Sequence, residues 1–140
     1  MKEIESKELE VLRIMSIIYK EINREALKRI GEGDLSALDV GIIKMLSISP
    51  YTPAKLASIL GVSKSAMTYA VDRLERLGLV MRVRSEKDRR IIQLELTEKG
   101  KEILVKAEKI YADVTKEKLN VLTEDEINTL INILQKLISK

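Results

Sequence analysis

Residues 52–97 read TPAKLASILGVSKSAMTYAVDRLERLGLVMRVRSEKDRRIIQLELT. Thr52-Pro53 is typical of a helix start, and Gly61 ends the short helix that follows. Ser63 then caps a second helix, over residues 64–77, after a turn of only three residues. Two helices joined by so tight a turn predict a helix-turn-helix unit.

The apolar pattern changes from helical to alternating after Gly78. Residues 79–84 and 91–96 both alternate, and the charged turn SEKDRR at 85–90 separates them. This pattern predicts a two-stranded hairpin directly after the helix-turn-helix unit, which makes the hairpin a wing. The predicted fold class is therefore mainly α with a small two-stranded wing, with a winged helix-turn-helix core.

Long helical patterns flank this core on both sides. Apolar residues recur at helical spacing from Ile4 to Ile30, and again from Glu98 to Leu119 after the capping residue Thr97. Ser36 opens another helix through residue 48, and Thr123 with Glu126 forms a capping box for a last helix. We expect one domain over 1–140, in which a winged helix-turn-helix lobe at 36–97 lies between helices at 1–30 and 98–140.

Composition limits the classes of function. The chain is 45% hydrophobic and 34% charged, and no apolar run is long enough to cross a membrane, so we expect a globular protein without a membrane partner. Its first residues lack the apolar segment of a secretory signal, which favours a cytoplasmic location. Few Asn and Gln with abundant Ile, Lys and Glu give a thermophile-like composition, for which a melting temperature below about 60 °C would be unexpected.

The absence of Cys and His removes most familiar catalytic and metal sites. The acidic cluster Glu124-Asp125-Glu126 lies in the first turn of a helix, where acidic residues favour the helix dipole, so we assign it no metal. We also find no Gly-rich phosphate loop. The chain is therefore predicted to need no cofactor and not to be an enzyme.

Positive charge is concentrated within residues 64–90. That range holds eight basic and four acidic residues, a net charge of +4 on a chain whose total is +3. A local basic excess on a nearly neutral chain is typical of a surface that binds a polyanion. The alternative is a solvated face of mixed charge.

The helix at 64–77 is the candidate for entry into a DNA major groove. Residues near the start of such a helix meet base edges, so Ser65, Thr68 and Tyr69 are candidates for direct readout. The cationic side chains of this helix are better suited to phosphates, and they are Lys64, Arg73 and Arg76. The alternative is that a surface helix simply has a polar face.

The turn between the two strands carries a second group of cations. Lys87, Arg89 and Arg90 stand on a tip narrow enough for a minor groove, whose negative potential attracts arginine, and Arg84 adds a cation at the base of the turn. Asp88 would repel phosphate, so we expect it to orient a neighbouring arginine by a charge-assisted hydrogen bond. The alternative is an ordinary polar hairpin turn.

Four stretches of the chain also carry a family resemblance. They are LASILGVS at 56–63, VDRLERLGLV at 71–80, DRR at 88–90 and LELTEKG at 94–100. In this order and spacing, residues 38–104 resemble the MarR family of winged-helix transcriptional regulators, and the outer helices fit the same plan.

The resemblance implies a homodimer that binds a pseudo-palindromic operator in double-stranded DNA and regulates transcription, as a repressor or an activator. It also implies that Asp88 and Arg90 form a braced reader of the minor groove. The chain departs from the family at Ser85, where an acidic residue is frequent.

The terminal helices suit a dimer, because their apolar stripes are wider than a small core can cover. A two-fold dimer would place its recognition helices about one DNA turn, roughly 34 Å, apart. The alternative is that both helices pack only within one chain. The predicted dimer contacts are Ile4, Leu9, Leu12, Ile131, Leu134 and Ile138.

Members of the family commonly release DNA when a small aromatic or phenolic ligand enters a crevice between the dimer helices and the DNA-binding lobe, or when a Cys is oxidised. The second route is closed because the chain has no Cys. A crevice lined by Tyr19, Lys20, Arg24 and Tyr111 is the candidate site for an aromatic acid. The alternative is that these residues only keep long helices soluble.

Two rival functions remain to be separated from DNA binding. A protein–protein adaptor built on a winged helix predicts no salt-dependent DNA binding, and the basic excess at 64–90 argues against it. An enzyme that uses carboxylates or Tyr would need a convergent acid pair outside the helix caps, and we find none in the sequence.

Overall fold

The computed structural model describes residues 6–139, and these residues form six helices and two strands. In chain order they are α1 (Lys7–Ile30), α2 (Ala37–Ile48), α3 (Pro53–Leu60), α4 (Lys64–Arg76), β1 (Val80–Arg84), β2 (Ile92–Leu96), α5 (Glu98–Leu119) and α6 (Glu124–Ile138). This order confirms the mainly α fold with a small two-stranded wing. Ser6 caps α1, and Ile4 of the predicted helix lies outside the described residues.

Capping residues define the helix starts as the sequence predicts. Asp39 N–H donates to Ser36 Oγ at 3.1 Å, and Ser36 N–H donates to Asp39 Oδ2 at 2.8 Å. Thr52, Ser63 and Thr97 each accept a hydrogen bond from the backbone three residues further on. These bonds satisfy backbone donors that have no partner inside the helix.

The core lies among α2, α3, α4, the hairpin and the start of α5. The four residues on the inner face of α4 are all buried. Leu56, Leu79 and Leu94 are fully buried around them, so the helix-turn-helix unit and the wing share one core. The inner residues of α4 are Met67, Ala70, Val71 and Leu74.

The wing is an antiparallel pair in which Val80 lies opposite Leu96 and Arg84 opposite Ile92. The N–H of Leu94 donates to the carbonyl of Tyr51 at 2.7 Å, which fastens β2 to the connection between α2 and α3. The base of the wing is therefore fixed to the core, and residues 85–91 form its tip.

Gly100 has a packing role in α5 that helix propensity does not indicate. A glycine in the first turn of α5 weakens a helix slightly on propensity alone. In the structure, an added Cβ at Gly100 would lie 2.2 Å from the carbonyl oxygen of Leu79. The glycine therefore allows α5 to pack directly against the backbone that precedes β1.

α5 also packs along α1, and charged pairs join the two helices at the surface. Arg29 donates to both carboxylate oxygens of Glu117, at 2.7 and 2.8 Å, and to Glu25 at 2.7 Å. The hydrogen bonds from Glu117 and Glu25 raise the pKa of Arg29. The reciprocal bond from Arg29 lowers the pKa of Glu117.

α6 contrasts with the other helices because none of its described residues is buried. Its second half carries exposed apolar residues, which are Ile131, Ile133, Leu134, Leu137 and Ile138. Within residues 6–139, no helix is both long and apolar enough to cross a membrane.

Candidate nucleic-acid interface

The outer face of α4 presents the side chains that the sequence assigned to base edges. Ser65, Thr68 and Tyr69 are exposed, and Tyr69 is 70% accessible. Lys64 and Arg76 are exposed at the two ends of the same helix. The buried face of α4 holds the helix to the core, so this polar face points away from the protein.

Arg73 differs from the other candidates on α4 because its side chain bonds to Asp34 and Asp39. Its Nη2 donates to Asp39 Oδ2 at 2.6 Å and to the carbonyl oxygen of Asp34 at 3.0 Å. Its side chain is only 26% exposed. Arg73 is thus engaged within the chain, which argues against the phosphate contact predicted for it.

Arg82 forms a link between α4 and β1 that was not predicted from the sequence. Its Nε donates to Glu75 Oε1 at 2.9 Å, and its Nη2 donates to Asp72 Oδ1 at 3.0 Å. These pairs join α4 to β1 and neutralise two carboxylates next to the outer face of α4. The spacing of Asp72 and Glu75, three residues apart on one helix face, was a signal for a shared cation.

The tip of the wing has the braced arginine that the sequence predicted. Arg90 Nε donates to Asp88 Oδ1 at 3.0 Å, and Arg90 Nη2 donates to Asp88 Oδ2 at 2.9 Å. The N–H of Arg90 also donates to Asp88 Oδ1, at 3.1 Å. These hydrogen bonds lower the pKa of Asp88 and raise that of Arg90. The Arg90 side chain is nevertheless 90% exposed, so it is oriented but accessible.

The other cations of the wing fall into two groups. Arg84 donates from Nη1 to the carbonyl oxygen of Arg89 at 2.8 Å, so it supports the backbone of the tip. Lys87 and Arg89 are exposed on the tip itself.

Most cations on this surface have no acidic partner. Within the described residues, the ion pairs do not involve Lys64, Arg76, Arg84, Lys87 or Arg89. Charges without internal partners interact with a polyanion at no cost of breaking an ion pair. We refer to the outer face of α4 together with the wing tip, residues 85–91, as the cationic face.

Two of the residues predicted for the ligand crevice line grooves in the described part of the chain. Tyr111 lines an apolar groove beside α6, whereas Arg24 lines a charged groove between α1 and α5. Neither groove is lined by Tyr19 or Lys20. The hydroxyl of Tyr111 donates to Asn23 Oδ1, and burial raises its pKa. Tyr19, Lys20 and Arg24 lie on α1 and Tyr111 lies on α5, as the helical patterns predict.

The predicted dimer contacts that the structure describes are exposed in the single chain. Leu12 is 58% accessible, and Ile138 is 81% accessible. The exposed members of the predicted set are Leu9, Leu12, Ile131, Leu134 and Ile138.

Among residues 6–139, no group of three or more acidic residues is placed to hold a metal ion.

Comparison with known proteins places this geometry in a family. The model of the MarR family matches residues 34–91, which span α2, α3, α4, β1 and the wing tip. The HTH-type transcriptional regulator YpoP of Bacillus subtilis is 32% identical over 124 residues, which cover 88% of this chain and 87% of that protein.

Solved structures give the same result. The transcriptional regulator BldR from Sulfolobus solfataricus is 34% identical, with a TM-score of 0.76, and the match covers 99% of this chain and 98% of that one. A mutant MarR from E. coli complexed with operator DNA has the same fold, with a TM-score of 0.77 at 24% identity, over 99% of this chain and 100% of that one. The chain belongs to the MarR family of DNA-binding winged helix-turn-helix transcriptional regulators.

Proposed function

We propose that this regulator binds a pseudo-palindromic operator in double-stranded DNA as a homodimer. In this proposal α4 enters the major groove, where Ser65, Thr68 and Tyr69 read base edges. Lys64 and Arg76 contact phosphates, and the wing tip places Arg90 in the adjacent minor groove, flanked by Lys87 and Arg89.

The proposal rests on Arg90, whose side chain is held in place and is still accessible to solvent. Three hydrogen bonds to Asp88 fix its position, while 90% of its side chain is accessible. An oriented arginine loses little conformational entropy on entering a narrow groove. The unpaired cations around it favour a polyanion as the partner, which supports DNA binding over a protein–protein adaptor.

The apolar terminal helices support the dimer. α1 exposes Leu9 and Leu12, and α6 exposes Ile131, Leu134 and Ile138. Exposed apolar faces on two long helices are typical of an interface, and a two-fold arrangement would match the symmetry of a pseudo-palindrome. We assign the helices at 1–30 and 98–140 to dimerisation and the lobe at 36–97 to DNA.

Selection from random-sequence duplexes tests the proposal. Purified protein retains duplexes at two salt concentrations, and the retained DNA is sequenced. We expect an A·T-rich pseudo-palindrome whose half-sites lie about one helical turn apart. Binding without enrichment would contradict sequence-specific recognition, and the absence of binding at low salt would favour the adaptor.

We infer in addition that a small aromatic effector binds in the apolar groove beside α6. The groove has a volume of about 600 Å³. An aromatic ring would lie against its apolar wall, and the ammonium group of Lys116 would pair with a carboxylate. The lining residues are Tyr111, Ala112, Thr115, Lys116, Leu119, Asn120 and Ile127.

Titration with benzoate and phenol tests this site. We expect benzoate to lower operator affinity in the wild type and Lys116→Ala to abolish that response while operator affinity without benzoate is kept. Phenol has no carboxylate, so its effect should be the same in both proteins. No change in operator affinity or melting temperature with either compound would contradict the site.

A further inference from the structure

The connection between α1 and α2 lies against the C-terminal half of α4. Gly33 has a φ of +59°, and an added Cβ would lie 2.9 Å from both methyl carbons of Leu77. A side chain at residue 33 would have to displace the end of the Leu77 side chain. The left-handed backbone conformation also favours glycine at this position.

Asp34 continues this contact with its backbone. Its carbonyl oxygen accepts a hydrogen bond from Arg73 Nη2 at 3.0 Å. Asp34 has a φ of +53°, and it is the one residue other than glycine with a positive φ among those described. Such a conformation is unfavourable for a residue with a side chain unless its surroundings hold it.

Asp39 adds a charged contact at the start of α2. It is 2% exposed, and among the described residues it is the one buried charged side chain. Its Oδ2 accepts from Arg73 Nη2 at 2.6 Å and from the N–H of Ser36 at 2.8 Å. A buried carboxylate is costly unless it is paired and hydrogen-bonded, so Arg73 is required where it lies.

Lys99 closes the same contact from the side of α5. Its Nζ donates to the carbonyl oxygen of Leu77 at 3.0 Å and lies 3.6 Å from Glu32 Oε1. The end of α4 is thus held by the α1–α2 connection on one side and by α5 on the other. The α1–α2 connection leads directly into α1, and α5 is itself one of the terminal helices.

We propose that the α1–α2 connection, residues 31–36, acts as a strut that fixes the direction of α4 relative to the dimerisation helices, with Arg73 as its positioning residue. Arg73 influences DNA only through α4 and contacts no phosphate. In a dimer, the direction of α4 in each subunit sets the distance between the two recognition helices. The strut thereby determines which half-site spacing is accepted, an inference that rests on the proposed dimeric function.

Spin labelling tests the strut without DNA. The chain has no Cys, so Ser65→Cys gives one label on each α4 and one distance between the two subunits. We expect a narrow distance distribution that Arg73→Gln broadens or shifts. An unchanged distribution would overturn the strut, whereas the absence of any distance between subunits would overturn the proposed dimer instead.

Two further variants distinguish positioning from folding. Arg73→Gln leaves Asp39 buried without a partner, so the double variant Asp39→Asn with Arg73→Gln removes both charges in case the single variant does not fold. Lys44→Ala is the matched control, because it breaks the Lys44–Glu108 pair between α2 and α5 and leaves α4 untouched. The double variant should broaden the distribution, and Lys44→Ala should not.

Binding to a set of operators with altered half-site spacing gives the second readout. For Arg73→Gln or the double variant we expect about tenfold weaker binding to the selected operator, with binding to a random duplex unchanged and a flatter dependence on spacing. A loss of the same size for operator and random duplex would overturn the strut and assign Arg73 to a phosphate. Wild-type protein that shows no spacing preference would instead contradict the proposed dimeric operator complex.

Discussion

Asp88 and Arg90 form a two-pronged ion pair at the tip of the wing, with Nε–Oδ1 at 3.0 Å and Nη2–Oδ2 at 2.9 Å. The pair places the guanidinium plane before DNA arrives. We expect Arg90→Ala to weaken operator binding by about 1 to 3 kcal/mol and to relax the preference for A·T pairs beside the half-sites. Competition assays at matched salt measure both quantities. Unchanged affinity would remove Arg90 from the interface.

The brace itself can be tested through Asp88. Asp88→Asn keeps the size of the side chain but removes the charge that orients Arg90. We expect a smaller loss of operator affinity than for Arg90→Ala, because the cation remains but is less ordered. If removing the carboxylate strengthens binding to all duplexes equally, then Asp88 acts only by repelling phosphate.

Lys64 is exposed at the start of α4 and takes part in none of the ion pairs among residues 6–139. A phosphate contact releases counterions, so Lys64→Ala should weaken binding to all sequences about equally and reduce the slope of log affinity against log salt by about 1. Lys44→Ala, which removes a lysine from α2, is the control for the change in net charge. A selective loss for the operator would mean that Lys64 reads bases.

Binding should depend little on pH near neutrality. The chain has no His, so few groups titrate between about pH 5.5 and about pH 7.5. Arg90 lowers the pKa of Asp88, and Arg29 lowers that of Glu117, so both pairs stay charged throughout this range. Their stabilisation is present above the pKa of the unfolded chain and is lost as pH falls through the lower pKa of the fold.

Operator affinity at constant ionic strength, measured across that pH range, checks this expectation. We expect less than a twofold change, which is a difference of roughly 0.4 kcal/mol. A tenfold change within the range would require a titrating group that neither ion pair supplies.

The dimer can be tested by a charge on the exposed face of α1. Leu12→Glu should shift the protein towards monomer in sedimentation velocity and weaken operator binding, because an isolated charge is costly in an apolar interface. Ile48→Glu is the control, since Ile48 is 67% exposed on α2 and lies outside the terminal helices. Equal behaviour of the two variants would contradict the assignment of the interface to α1.

Local signals explain why the helices and the wing could be predicted from the sequence. Capping residues such as Ser36 and Thr123 bond to the backbone only three residues further along the chain. Alternation of apolar and polar residues likewise indicates a strand even when its partner strand is unknown. The partner of Arg73 is Asp39, 34 residues away, and no short-range pattern indicates it. Candidate residues were therefore found by type and helix face, while their long-range partners required the fold.

The substitution Gly100→Ala changes stability in two opposite ways, through helix propensity and through tertiary packing. On helix propensity alone, Gly100→Ala would stabilise α5 by up to about 1 kcal/mol. The added Cβ would lie 2.2 Å from the carbonyl oxygen of Leu79, and a backbone atom held between β1 and α4 cannot move aside freely. Because overpacking costs about 1 to 3 kcal/mol, we expect a net loss of stability and a lower melting temperature.

Gly41→Ala is the matched control, because its Cβ would lie at an ordinary 3.7 Å from Leu60 Cδ2, and it should stabilise α2 instead. Thermal melting of the two variants compares both effects, and stabilisation by Gly100→Ala would show that α5 can move away from Leu79 at little cost.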